Sequence, residues 1–259
     1  MSKKDTYAVI TGASSGIGLE FAKRLSIEGY NLILVARRRE KLEKLSKKLQ
    51  EYGNRVEIFV ADISREEECY NLISEIEDKR IAVFINNAGF GDCGIFTETD
   101  LAKDLQMIDV NVRALHLLTK LVLKKFKKQN FGYLLNVASS AGFIPAGPYM
   151  ATYYATKAYV TSLTRAVARE LKEQKSKVYI GCLCPGPVDT EFNDVANVQF
   201  ALKGISPSYC ANYAIDKMKK RKVVIVPSLK MKMAMFGGRV IPDDLYIKIA
   251  GHQQKKKFM

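Results

Sequence analysis

Short, almost wholly apolar runs alternate along this chain with longer stretches whose apolar positions recur every three or four residues. The runs lie at 7–11, 31–36, 55–60, 82–86, 132–138, 177–184 and 223–226. A strand with one wet face alternates in polarity, so unbroken apolar runs point to strands buried on both faces of a parallel sheet. Helical spacing covers 16–28, 38–52, 65–77, 100–127, 149–172 and 207–220. Strand and helix in regular succession predict an α/β fold: one doubly wound sheet of seven parallel strands with helices on both faces. No repeat, low-complexity tract or linker divides residues 1–227, which are expected to form one domain. Residues 228–259 differ in composition, with Met231, Met233, Met235 and Phe236, then Gly237-Gly238, Pro242 and a short amphipathic pattern. They predict a helical appendage packed on that domain, its methionines in core contacts. Cover of a substrate cleft, or contact with a membrane surface or a partner, are the other uses open to it.

A length of 259 residues suits one large α/β domain rather than two independent ones. No apolar run reaches the roughly 18 residues of a membrane span. The opening residues lack the pattern of a secretory signal. No integral membrane span and a cytoplasmic setting are therefore expected. The formal net charge of +14 raises nucleic acid or an anionic membrane as partners. The cations are spread along helical stretches with Glu between them, as in 37–48, which is the pattern of solvated helix faces. Lys255, Lys256 and Lys257 form a local basic tail. No nucleic-acid reader motif accompanies the charge, so no such partner is expected; attraction for an anionic cofactor is the simpler use. Cys69, Cys93, Cys182, Cys184 and Cys210 are scattered, and His116 and His252 stand in no ligand pattern, so no metal is expected.

The first candidate chemistry follows the first strand: Thr11-Gly12-Ala13-Ser14-Ser15-Gly16-Ile17-Gly18, then a helix. Glycines let the backbone turn sharply and approach a pyrophosphate closely. The helix behind them aims its free N–H groups at the phosphates. This strand–turn–helix context is that of a Rossmann-type dinucleotide site, with Gly12, Ser14, Ser15, Gly16, Ile17 and Gly18 as its candidate residues. The second strand ends Ala36-Arg37-Arg38-Arg39. An acid at its end would bind the ribose 2′-hydroxyl of NAD; here Ala36 stands there and Arg37 follows. A guanidinium can grip a 2′-phosphate through paired charge-assisted bonds. Arg37, with Arg38 able to share the phosphate, predicts NADP(H).

The second candidate chemistry is Tyr153-Tyr154-Ala155-Thr156-Lys157 inside a helical pattern. Positions 153 and 157 share one helix face. A phenol ordinarily titrates near pH 10, and an ammonium beside it favours the phenolate. The pair is thus expected to work as a general acid–base with an acidified phenol. Tyr154 has Ala158 one turn on, which leaves Tyr153 as the candidate. A serine, Ser139 or Ser140, precedes the pair after the fifth strand. With the Gly-x-x-x-Gly-x-Gly turn, the chain from about 7 to 226 resembles the short-chain dehydrogenase/reductase family.

The resemblance implies a hydride transfer between NADP(H) and a carbonyl or secondary alcohol. It implies that residues 1–227 bind the cofactor and catalyse. It assigns Tyr153 as proton donor and acceptor. Lys157 also binds the nicotinamide ribose. The serine, which the family places three residues before a glycine, is Ser139; Ser140 restores the spacing to Tyr153 that is commoner in relatives, so both stay open. It makes Asn111 the residue that distorts its helix and anchors a water leading to Lys157. It implies contacts to the cofactor from Asp62 and Ile63, from Asn87, Ala88 and Gly89, and from Pro185, Gly186, Val188 and Thr190. Relatives form dimers or tetramers through the helices carrying Asn111 and Tyr153, so a homo-oligomer is expected.

The candidate pocket walls, 90–96, 143–152 and 191–207, contain Phe90, Phe96, Phe143, Ile144, Tyr149, Met150, Phe192 and Phe200. They predict a bulky apolar substrate such as a hydroxysteroid, a long acyl chain or an aromatic ketone. Two other readings compete. One is a non-catalytic NADP(H)-binding sensor or interaction protein. The other is a membrane-associated lipid or steroid reductase that uses the basic, Met-rich tail as an interfacial anchor.

Overall fold

The computed structural model describes residues 3–192, 196, 204–238 and 241–255. The strands are β1 (Tyr7–Thr11), β2 (Asn31–Ala36), β3 (Val56–Val60), β4 (Ile81–Asn86), β5 (Tyr133–Val137), β6 (Tyr179–Leu183) and β7 (Val224–Ile225). Among the described residues they form one parallel sheet in the order β3-β2-β1-β4-β5-β6-β7. The order reverses between β1 and β4, which opens a crevice beyond their carboxyl ends.

The unbroken apolar runs have the expected cause. Ala8, Ile10, Leu32 and Leu34 enter a core with Phe21, Leu25 and Leu42 on one face. Val9, Ile33 and Val35 enter another with Leu72, Leu118, Val122 and Phe126 on the opposite face. Helices α1 (Gly16–Ile27), α2 (Arg39–Gln50) and α3 (Glu66–Glu75) supply several of these side chains. The expected helix 100–127 is broken. It comprises α4 (Leu101–Ile108), a π-helical turn at Asp109–Ala114 and α5 (Leu115–Gln129). The expected helix from 149 starts later, as α6 (Ala151–Glu173), because Tyr149 holds a left-handed backbone with φ of 67°.

Two polar residues interrupt the buried strands and satisfy each other. Asn86 Nδ2 donates to Asn136 Oδ1 (3.0 Å) across β4 and β5. Asn136 Oδ1 also accepts from Thr119 Oγ1 of α5 (3.2 Å), and Asn136 Nδ2 donates to Thr164 Oγ1 of α6 (3.0 Å). The network fastens two helices to two strands in a region that is fully dry.

After β6 come α7 (Pro207–Lys219), α8 (Leu229–Gly237) and α9 (Asp243–Lys255). The last two lie on the loops that rim the crevice. Met231 and Met235 pack with Phe143 and Leu115. A Cβ on Gly251 of α9 would lie 3.1 Å from Pro148. Phe200, Lys256 and Lys257 lie outside the described residues.

Replacing Asn136 with Leu strips Asn86 and Thr119 of a shared acceptor and Thr164 of its donor. The expected loss is about 2–4 kcal/mol of stability, measured by urea unfolding; an unchanged midpoint would show that the network contributes nothing.

Candidate active site

The phosphate turn is built by exclusion of side chains. Gly12 has φ of 66°, and a Cβ there would lie 2.9 Å from both Ala88 Cα and Asn87 Nδ2. A Cβ on Gly18 would overlap the Gly12 carbonyl oxygen. Asn87 clamps the turn: its Nδ2 donates to the carbonyls of Thr11 (3.0 Å) and Gly12 (3.2 Å). The amides of Asn87 and Ala88 donate to Thr11 Oγ1 at 3.0 and 3.1 Å. Ser15 is the N-cap of α1 but makes no side-chain capping bond, which leaves the first amides of the helix available to an anion.

At the outer end of the crevice the two arginines part company. Arg37 turns to Asp62, with a long 3.8 Å ion pair. Arg38 turns inward: its Nη2 donates to Ser14 Oγ (2.9 Å) and Ser15 Oγ (2.8 Å), and its Nη1 pairs with Glu191 Oε2 at 2.8 Å. Lys41 pairs with the other Glu191 oxygen at 2.7 Å. Lys41 and Arg38 together hold the Glu191 carboxyl far below its ordinary range, at about 2. Asp62 Oδ1 accepts from the amide and hydroxyl of Ser64, at 3.1 and 2.9 Å, and so shapes the turn after β3.

At the inner end, Tyr153 stands in the first turn of α6 with Lys157 one turn behind it. The Ser139 side chain hydrogen-bonds Tyr153 and accepts from the Ala141 amide (3.1 Å). Ser140 is held by a backbone bond to the Pro185 carbonyl (2.8 Å). Of the two serines, Ser139 is thus the one whose side chain meets Tyr153. Lys157 Nζ donates to the Val137 carbonyl (3.0 Å) and lies 5.8 Å from the Tyr153 ring centroid.

The expected acidified phenol is corrected here. Burial pushes Tyr153 up to about 12, and the Ser139 hydrogen bond offsets only part of that. Burial also pushes Lys157 down to about 8. Each charged form loses its water, and the lysine spends its hydrogen bond on a carbonyl rather than on the phenol.

Asn111 sits fully buried in the π-helical turn. Its Nδ2 donates to the Phe90 carbonyl (2.9 Å) and Thr156 Oγ1 (3.1 Å), and its Oδ1 accepts from the Phe90 amide (3.2 Å). The side chain thus ties the loop after β4 to α6. A Cβ on Gly89 would lie 2.8 Å from Asn111 Oδ1 and 3.3 Å from Lys157 Nζ, so this loop passes as close to the lysine as a backbone can.

These residues surround one cavity of about 1110 Å³. Gly12, Ser14, Ser15, Gly16, Ile17, Arg37, Arg38, Asp62 and Ile63 line its outer part, with Asn87, Ala88 and Gly89 beside them. Ser139, Tyr153, Lys157, Pro185, Gly186, Val188 and Thr190 line the rest. Gly18 and Asn111 stand behind the wall rather than in it. Phe90, Ile144, Met150 and Phe192 face the cavity as expected. Three expected wall residues do not. Phe96 is turned to solvent (66% exposed), Phe143 packs under Met231 and Met235, and Tyr149 lies beyond the rim.

The pocket has a wall that no local motif announced: Met231 from α8 and Tyr246, Ile249 and Gln254 from α9. Gln254 Nε2 donates to the Tyr154 hydroxyl. The amphipathic pattern near the end of the chain was the only available signal for this contact.

Such a crevice suits a dinucleotide lying across a reactive tyrosine. The sequence profile of the short chain dehydrogenase family matches residues 6–199. An uncharacterized oxidoreductase of Staphylococcus saprophyticus is 31% identical over 232 residues, 88% of this chain and 97% of that one. The very-long-chain 3-oxoacyl-CoA reductase of Vanderwaltozyma polyspora is 36% identical over 189 residues, 68% of this chain and 54% of that one. A short-chain dehydrogenase from Sphingobium yanoikuyae, solved in complex with NADPH, superposes with a TM-score of 0.82 at 31% identity, covering 90% of this chain and 93% of that one. The chain belongs to the short-chain dehydrogenase family and is an oxidoreductase of that family.

Burial of Lys157 has a measurable consequence. Its folded value, about 8, lies below the free value of 10.5. Between these the unfolded chain holds the extra proton, so this group makes stability rise with pH across that window. Below it, the buried ammonium costs on the order of 3 kcal/mol. Lys157→Met should therefore raise the thermal midpoint of the ligand-free protein at pH 7 by roughly 5 °C, an advantage that shrinks towards pH 10.5. A lower midpoint at pH 7 would contradict the burial argument.

Proposed function

We propose that this chain transfers a hydride between NADP(H) and the carbonyl or secondary alcohol of a bulky apolar compound. The observation that carries the reading is the buried Ser139–Tyr153–Lys157 group set into the wall of a cavity that begins at the phosphate turn. The residues present fit the cofactor: side chains are excluded at Gly12 and Gly18, and the amides that open α1 carry no side-chain cap. Ala36 contributes no acid at the end of β2, and Arg38, Lys41 and Arg37 put positive charge there, which supports NADP(H) over NAD(H). The bound nicotinamide supplies or takes the hydride.

The chain's own work is to hold the substrate oxygen and move a proton. Ser139 is placed to hydrogen-bond that oxygen and stabilise charge on it. Tyr153 gives it a proton in reduction and takes one in oxidation. A phenol held near 12 is protonated through neutral pH, the form that can donate to a carbonyl oxygen. Lys157 stands behind the phenol and is placed to hold the cofactor ribose.

Apolar side chains from the loops and from α8 and α9 support a bulky substrate. Similarity to a very-long-chain 3-oxoacyl-CoA reductase supports a long acyl chain within that class, beside hydroxysteroids and aromatic ketones. Residues 228–238 and 241–255 serve as the substrate-side wall in this reading. Among the described residues no helix is long and apolar enough to cross a membrane. The five free, buried thiols fit the reducing cytoplasm. Exposed Leu105 and Ile108 on α4, beside the helical turn of Asn111, support a homo-oligomer.

Tyr153→Phe should lower turnover of NADPH with a panel of bulky ketones by about 10²–10⁴-fold while the NADPH dissociation constant stays within threefold. Wild-type turnover in this variant would remove Tyr153 from the chemistry. Failure of the wild type to consume NADPH with any ketone would remove the activity itself.

A further inference from the structure

The cations at the outer end of the crevice already hold an anion, and it belongs to the protein. Glu191 uses both carboxylate oxygens: Oε2 takes Arg38 Nη1 at 2.8 Å and Oε1 takes Lys41 Nζ at 2.7 Å. Arg38 is also fixed on the far side by the Ser14 and Ser15 hydroxyls of the phosphate turn. The partners come from opposite banks. Arg38 and Lys41 follow β2, whereas Glu191 follows β6, 153 and 150 residues away along the chain. The ion pairs therefore join the two banks of the crevice: Arg38 and Glu191 line the same cavity, and Lys41 holds Glu191 from outside that lining.

We infer that Glu191 is a built-in competitor for the 2′-phosphate of NADP(H), occupying the anion site that Arg38 and Lys41 form. The inference rests on the proposed NADP(H) reading and adds a residue that sets selectivity between the two nicotinamide cofactors. The donors fit either anion, since two cations can serve a carboxylate or a phosphate with the same charge-assisted bonds. A phosphate monoester brings about −1.5 to −2 charges against the single charge of a carboxylate. The competing pairs are also weak ones: the side chains of Arg38, Lys41 and Glu191 are each 44–45% exposed, and ion pairs open to water are readily exchanged. A phosphate can therefore displace the carboxylate, but at a cost in affinity. NAD, with a neutral 2′-hydroxyl, has no charge to place on Arg38 and Lys41 and need not displace Glu191. Glu191 thus lowers NADP(H) affinity selectively and keeps the gap between the two cofactors narrower than the arginines alone would make it.

The competition also reaches the reacting centre within one residue. Phe192 follows Glu191 directly, and its ring lies 5.5 Å from that of Tyr153.

The test compares dissociation constants of NADP+, NAD+ and 2′,5′-ADP for the wild type, Glu191→Gln and Glu191→Ala, by isothermal titration at fixed ionic strength. Both variants should bind NADP+ and 2′,5′-ADP about tenfold more tightly, with NAD+ affinity within twofold, which also reports that the fold is intact. In an Arg38→Met background the gain should shrink to threefold or less, because the pair it depends on is gone. Unchanged or weaker NADP+ binding by both Glu191 variants, with wild-type NADP+ binding intact, overturns the competition alone. A wild type that binds neither dinucleotide overturns the cofactor reading, and the competition with it.

Discussion

Burial on both faces is the constraint from which this molecule's site follows. A parallel sheet covered by helices on each side leaves no wet face along its central strands, so these are apolar nearly throughout; the half-buried edge strand β3, with Glu57, is the exception. Polar chemistry can then be placed only where the strands stop. Thr11, Asn86, Val137 and Leu183 end β1, β4, β5 and β6, and the loops that leave them carry the phosphate turn, the Asn87 clamp, Ser139 and the Pro185 segment. The crevice is where these ends converge. Asn86 and Asn136 break the apolar rule inside the sheet, and they do so by satisfying each other and two threonines. That network holds α6 against β5, which sets the depth at which Tyr153 and Lys157 enter the crevice.

Burial also decides the electrostatics of those two groups. A phenol and an amine in water would titrate close together, near pH 10. Taken out of water they move apart, to about 12 and about 8, because desolvation opposes the phenolate and the ammonium alike. Positive charge brought close to the phenol would oppose its desolvation and lower the pH at which it titrates.

Much of this was legible in the residues, and the division is a physical one. Strands, the glycine turn and the Tyr153–Lys157 pair are set by period and by close neighbours, so spacing alone revealed them. Spacing alone gave 100–127 as one unbroken helix, because a π-helical turn adds a residue without changing composition; only the family resemblance pointed to a distortion at Asn111, which lies in that turn. Tyr149 was assigned to a helix because its left-handed backbone leaves no mark in a short apolar stretch. Phe96 and Phe143 were taken for pocket walls because a phenylalanine in a loop near a site has the same identity whether it faces the cavity, the solvent or a methionine. The preference of Arg38 over Arg37 for the phosphate turn depends on Glu191, 153 residues distant, and no local pattern encodes such a partner. The wall from α8 and α9 was foreseen only as one use of an appendage among several.

That wall also separates two tasks that a single site must combine. In the proposed reaction Ser139, Tyr153 and Lys157 address only the carbonyl or hydroxyl group that every substrate of the class presents. Choice among substrates would then fall to the apolar surface of the wall. Ile249 of α9 lines the cavity and is 46% exposed, and Met231 lies beside it in the same wall. Each such side chain yields roughly 25 cal/mol per Å² when a matching apolar group covers it. Neither helix contributes a residue to the phosphate turn, but both touch the rest of the site: Gln254 donates to the hydroxyl of Tyr154, beside Tyr153, and a Cβ on Gly186 would meet Met231. In the proposed reading, the least motif-like part of the chain is therefore where choice among substrates would lie, and the part most readily recognised from spacing is where substrates would be treated alike.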